Sequence, residues 1–158
     1  MRVRVGQGFD VHPFVDDAER PLVRGGVAFE SPRALRGHSD PTVIAHACAD
    51  ALLGAAGLGD IGEHFPDTDP TWAGADSIGL LAEATRRVRA AGWEPGNVDA
   101  SVVTDHPKLA PARQQMQERL SAAVGAPVTV KGRRPEGLGA LGRGEGVACW
   151  AVAVVSRP

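Results

Sequence analysis

Three stretches punctuated as helices alternate with stretches that read as strands, and this alternation constrains the fold more than any other feature of the chain. "PTVIAHACADALLGAAG" (41–57) has Asp40 placed to cap it, Pro41 suited to its first turn and Gly57 suited to its stop. "SIGLLAEATRRVRAAG" (77–92) sets Ile78, Leu81, Thr85 and Val88 in an apolar stripe, with Arg86, Arg87 and Arg89 mainly off it. "PARQQMQERLSAAVG" (111–125) again ends in Gly. Around them, 3–9, 22–29, 97–105, 128–132 and 146–156 read as strands. The expected fold is α/β (α+β), a single mixed β-sheet covered by helices on one face, in one domain over 1–158. The stretch 58–76, rich in Gly, Pro and Asp, reads as a long loop of the kind that carries function or moves.

Composition narrows the class of partner. A net charge of −2 gives no reason to expect nucleic acid or an anionic membrane surface. The N-terminal "MRVRVGQGFD" lacks the apolar core of a signal peptide, and no apolar run reaches bilayer length, so a cytoplasmic protein is expected. Cys48 and Cys149 are too few and too far apart for a disulfide framework or a Cys-based zinc site, and read as small buried hydrophobes. Aromatic content is 4%, with 20 glycines, which suggests small-residue packing completed by neighbouring subunits.

Residues able to carry chemistry fall in a few segments. In "GQGFDVHPF" (6–14), Asp10 and His12 stand two apart on an extended segment and so face one side. His46 lies mid-helix among apolar residues, where a satisfied core histidine is the plain alternative to a ligand. With Asp10 and His12 it would complete a three-ligand zinc site with an open position, and Asp50, one turn along, is placed to orient its imidazole. His38 and Ser39 of "GHSD" precede a helix N-terminus, where they meet phosphate or where Ser39 and Asp40 merely cap. "GDIGEHFPDTDP" (59–70) carries Asp60, Asp67 and Asp69 beside glycines that let a ligand approach the backbone, or is simply a solvated acidic loop. "RRPEGLGALGRGEG" (133–146) places Glu136 in a loop that can expose backbone N–H groups to an anion, or forms an ordinary flexible turn.

In order along the chain, "GFDVH", "HSD" with a histidine eight residues after its own, "ALLGAAGLGDIGEHFPDTDP", "GADS", "GNVD", "PKL" and "GLGALGRGEG" resemble the 2-C-methyl-D-erythritol 2,4-cyclodiphosphate synthase family from Val5 to Val155. The resemblance implies a homotrimer with active sites between subunits. It implies zinc, or another divalent transition metal, on Asp10, His12 and His46, and magnesium or manganese on Glu136. His38 and Ser39 would meet the substrate phosphates, and Asp60, with the Gly62 backbone beside it, the methylerythritol hydroxyls. Pro107, Lys108, Leu109 and Ala110 would form the cytidine pocket with Gly132. Arg143 and Glu145 would lie near the three-fold axis, where some relatives bind an isoprenoid diphosphate. The implied reaction is metal-assisted intramolecular phosphoryl transfer on 4-diphosphocytidyl-2-C-methyl-D-erythritol 2-phosphate. It releases CMP and the cyclic diphosphate and needs no protein nucleophile.

Two departures from the family pattern stand out. "HSDPT" replaces the usual "HSDGD", so Pro41 and Thr42 stiffen that segment and remove a carboxylate. "GRRP" replaces a Thr-rich run before Glu136, which puts Arg133, Arg134 and Pro135 where hydroxyls hold nucleotide phosphate, and Gly137 follows the acid. Arg133 and Arg134 are then the available phosphate donors. The rival readings are a non-catalytic trimer that binds metal and a nucleotide or isoprenoid diphosphate, and a metal-dependent phosphohydrolase that admits water to the same site.

Overall fold

The computed structural model describes residues 1–15, 22–24, 27–29, 34–35, 43–105 and 109–158. Among these, five strands form one mixed sheet in the order β4-β1-β7-β5-β6. They are β1 (Arg2–Val15), β4 (Ala34–Leu35), β5 (Glu94–Val103), β6 (Val128–Arg133) and β7 (Gly146–Arg157). β5 and β6 run parallel and every other pair is antiparallel. The stretch expected as one strand over 22–29 is instead two, β2 (Leu22–Arg24) and β3 (Val27–Phe29), paired antiparallel on either side of Gly25–Gly26. A Gly pair between apolar triplets is a hairpin signal.

Helix α1 (Val43–Ala56) is the centre of the molecule. Twelve of its fourteen residues are buried, so it is enclosed on all sides rather than half-solvated. It packs on β1, on β7 and on α3 (Ser77–Ala90), while α4 (Arg113–Val124) lies against α3 and β6. Gly57 (φ 73°) and Gly125 (φ 69°) stop α1 and α4 in the left-handed conformation that their identity suggested. The segment holding Asp40, Pro41 and Thr42 lies outside the described residues.

The contact between β1 and α1 depends on two glycines. A Cβ at Gly6 would fall on the carbonyl oxygen of Ala51, and one at Gly8 on that of Ala47. Only a bare backbone lets the strand lie this close to the helix. β1 also runs longer than the expected 3–9, because its ladder with β7 continues as Asp10↔Cys149, His12↔Val147 and Pro13↔Gly146. Residues 6, 8, 10 and 12 thus share the helix-facing side.

The opposite side of the sheet carries no helix among the described residues. Val3, Val5, Phe9 and Val11 of β1 and Trp150 and Val152 of β7 are exposed there, and the rings of Phe9 and Trp150 stand 5.0 Å apart. The third helix begins later than expected, at Arg113, after a 3₁₀ turn over Ala110–Ala112. On α3 the buried positions are Ser77, Leu80, Leu81, Ala84, Thr85 and Val88, so Ile78 falls to the edge of the stripe. No helix among the described residues is long and apolar enough to cross a membrane.

Candidate active site

Helix α1 delivers His46 to the place where β1 turns Asp10 and His12 inward. One carboxylate oxygen, Oδ2 of Asp10, lies 2.7 Å from Nε2 of His12 and 3.1 Å from Nδ1 of His46. The imidazoles cross at 61° with centroids 5.2 Å apart. Burial pushes the Asp10 carboxyl up, but the hydrogen bonds and charge of the two histidines outweigh it and hold it at about 2. Asp10 is therefore an anion over the whole physiological range.

These three residues suit a divalent cation. One ligand atom from each lies within 4.8 Å of the others, and no other group of three or more such side chains occurs among the described residues. The donor set is one carboxylate oxygen and two ring nitrogens, which fits a transition metal with a position left open. On the far side of His46, Nε2 meets the Ser77 hydroxyl at 3.3 Å, a buried contact. With Nδ1 given to a metal, Nε2 carries the proton and Ser77 Oγ accepts it, which fixes ring and tautomer. Nδ1 of His12 is buried with no hydrogen-bond partner among the described residues.

Asp50 has a different task from the one expected. Its Oδ2 accepts from the amide of Phe9 at 3.4 Å and its Oδ1 from the amide of Ile61 at 3.2 Å. A carboxylate here stitches the residue before Asp10 to the residue after Asp60. Ser77 was not singled out, although the motif "GADS" contains it. A serine at the first turn of a helix capped by Asp76 reads as punctuation unless its tertiary neighbour is known.

The loop at 58–76 contains a short helix, α2 (Ile61–His64), opened by a reciprocal cap. Asp60 Oδ1 accepts from Glu63 N at 2.8 Å, and Glu63 Oε2 accepts from Asp60 N at 3.2 Å. The spacing Asp60-x-x-Glu63 is the signal that marked this helix in the sequence. Asp60 remains exposed, with Gly62 beside its carboxylate.

A second feature lies toward β6. A cleft of about 210 Å³ is lined by Thr104, Asp105, Leu109, Ala110, Arg113, Gly132, Arg133 and Arg134. It gathers Leu109, Ala110, Gly132, Arg133 and Arg134, named from two distant segments, and adds Arg113, which was not foreseen. Leu109 is buried beneath Gly132, where an added Cβ would stand 3.5 Å from its Cδ1. Across the sheet Asp10 pairs with Cys149, Cys149 with Val102 and Val102 with Gly132. Metal cluster and cleft are therefore three strand spacings apart on one chain, about 14 Å.

Glu136 does not join the metal cluster. It occupies an exposed turn closed by Leu138 N on Pro135 O at 3.0 Å, and its φ of 55° makes it the one left-handed non-glycine among the described residues. Arg143 is exposed and ion-paired to Glu145 at 2.5 Å. Burial pushes the Cys48 thiol up to about 12 and the Cys149 thiol well above its ordinary value, so both stay neutral. His38, Ser39, Pro107 and Lys108 lie outside the described residues.

Comparison with known proteins gives the family. Residues 3–156 match the YgbB family. The chain belongs to the YgbB family. A 2-C-methyl-D-erythritol 2,4-cyclodiphosphate synthase of Bordetella petrii is 54% identical over 157 residues, 98% of this chain and 96% of that protein. The synthase of Rubrobacter xylanophilus is 55% identical over 98% of this chain and 95% of its own. Among solved structures, the bifunctional IspDF of Campylobacter jejuni superposes with a TM-score of 0.92 at 40% identity, covering 99% of this chain and 43% of that one. IspF of Plasmodium falciparum in complex with CDP gives a TM-score of 0.83 at 31% identity, covering 98% and 96%.

Proposed function

We propose that this YgbB-family chain is a cyclodiphosphate synthase, a phosphorus–oxygen lyase that converts 4-diphosphocytidyl-2-C-methyl-D-erythritol 2-phosphate to the 2,4-cyclodiphosphate and CMP. The observation that carries the reading is the single Asp10 oxygen held between two imidazoles, in a chain related along its whole length to such synthases. The substrate's 2-phosphate attacks its own β-phosphorus, and the bond to the CMP phosphate breaks. Two anionic groups must meet for this, and a divalent metal on Asp10, His12 and His46 supplies the Lewis acidity that offsets their repulsion.

The chain's own groups do the positioning. Arg113, Arg133 and Arg134 give the cleft three guanidiniums for the nucleotide diphosphate, in place of neutral hydroxyls. Leu109, Ala110 and Gly132 form its apolar floor. Asp60, and the His38–Ser39 pair, meet the methylerythritol 2-phosphate end. Glu136 would hold magnesium or manganese, which would supply charge to offset the diphosphate. The bare apolar sheet face with Phe9, Trp150 and Val152 supports a homotrimer, which sets the cleft of one subunit against the metal cluster of the next. Arg143 and Glu145 then border the three-fold axis. A cytoplasmic location follows from this soluble small-molecule chemistry.

Incubation with the cytidine substrate, Zn²⁺ and Mg²⁺, followed by phosphorus NMR, tests the reading. The expected result is CMP together with a cyclic diphosphate. A linear diphosphate instead would mean a phosphohydrolase, and tight CDP binding with no turnover a binding protein.

A further inference from the structure

We propose that Arg87 is a positioning residue of this site, holding the loop that carries Asp60 through His64 and the Phe65–Trp72 ring pair. The consequence for substrate rests on the reading of Asp60 given above. Arg87 sits on α3 and is mostly buried beneath the loop. Its Nε donates to Glu83 Oε1 at 2.8 Å, one turn back on the same helix, which fixes the direction of the guanidinium. One of its terminal N–H groups then reaches His64, 2.9 Å from Nδ1 and 3.2 Å from the carbonyl oxygen. Its carbon lies 4.8 Å from the Phe65 ring centroid and 5.7 Å from that of Trp72. Those rings meet edge-to-face at 4.9 Å. One side chain thus holds the C-terminal end of α2 and the aromatic pair that closes the loop behind it.

The hydrogen bonds also fix the state of His64. Its Nε2 lies 2.9 Å from the Leu58 carbonyl oxygen, which can only accept, so Nε2 carries the proton. Nδ1 is left with the lone pair that Arg87 needs. A second proton on the ring would set N–H against N–H and cation against cation. The charged groups around it are Arg87 and Glu83 from α3, and Glu63 and Asp60 from its own turn, the last two engaged with each other. None of these three acids is hydrogen-bonded or ion-paired to the ring. The hold uses the Nδ1 lone pair of His64.

The test uses the full chain loaded with zinc and magnesium, comparing Arg87→Met, which keeps the stem, and Arg87→Lys, which keeps the charge. In Arg87→Met the amides of Phe65 and Trp72 should exchange hydrogen about tenfold faster, with those of α4 unchanged, the size expected for losing one charged hydrogen bond. KM for the cytidine substrate should rise about tenfold with kcat within about twofold, because the ordering cost moves into binding. Arg87→Lys should fall between. Zinc content should be unchanged throughout. Parent-like exchange in Arg87→Met overturns the proposal, and so does faster exchange with parent-like KM, which would leave a purely structural role. If Arg87→Met does not fold, Arg87→Lys decides in its place by the same exchange and KM readouts. A parent that makes no cyclic diphosphate overturns the functional reading instead, and the exchange measurement still decides whether Arg87 holds the loop.

Discussion

Asp10 illustrates how one residue's environment sets its chemistry. Burial alone pushes its carboxyl up, yet two imidazoles hold it as an anion at about 2. It needs no deprotonation to take a metal. His46→Ala should remove stoichiometric zinc, measured by elemental analysis after gel filtration. Ser77→Ala should be milder. It deletes the partner at His46 Nε2 without touching a ligand, and metal affinity should fall about 10–100-fold by chelator competition. Unchanged affinity would show that the buried packing around His46 orients the ring unaided. The cluster of Asp10, His12 and His46 was legible from spacing and family resemblance. Asp50 and Ser77 were not, because a helix-face argument sees only neighbours on the same helix. It chose the carboxylate at i+4, while the actual partner came from α3 and the carboxylate was drawn to two backbone amides.

At the scale of elements, the decisive contact is that of β1 with α1, and it rests on Gly6 and Gly8. Gly8→Ala places a methyl on the Ala47 carbonyl, so either the strand or the helix must move. A loss of about 1–3 kcal/mol is expected in denaturant unfolding, with weaker zinc binding because the shift carries Asp10 away from His46. The sequence located α1, α3, α4 and the long strands, since apolar periodicity and Gly stops are local. It read 58–76 as loop although the Asp60–Glu63 box marks α2. It also missed that Arg87, off the apolar stripe, is nonetheless covered by that loop. On α3, hydrogen bonds from Arg86 and Arg87 hold the Glu83 carboxyl at about 2 against an ordinary 4.5. A depressed carboxyl stabilises the fold above its unfolded value, and that contribution is lost as pH falls from about 4.5 towards 2. The pair is near the surface, so about 0.5–1 kcal/mol is at stake. Glu83→Gln should cost that much at neutral pH and nothing at pH about 2, read from thermal melts across the range.

At the scale of the whole molecule, cleft and metal cluster sit three strand spacings apart across one sheet, about 14 Å, while the face of the sheet away from the helices is apolar and open. The proposed trimer, built on that face, would answer both facts, since it would cover Phe9, Trp150 and Val152 and would bring a neighbour's cleft to each metal set. The overall fold was legible from the sequence because helix and strand periods alternate cleanly. Five residues of the cleft were legible too, but Arg113 was not, because it joins Arg133 and Arg134 only when α4 packs beside β6. Shared sites make a quantitative prediction. His46→Ala should lack the metal half of the site, and the double variant Arg133→Ala with Arg134→Ala should lack the phosphate half, each inactive alone. Dissociated, mixed in equal amounts and reassembled, they form interfaces at random. A site is whole only where a subunit with an intact metal set meets a neighbour with an intact cleft, which gives about a quarter of the parent's activity. Activity is to be measured as CMP release after mixing, with light scattering confirming the trimer. If the mixture stays as inactive as its components although mixed trimers have formed, each chain contains its own complete site. The cleft on β6 would then serve something other than the reaction at Asp10, His12 and His46.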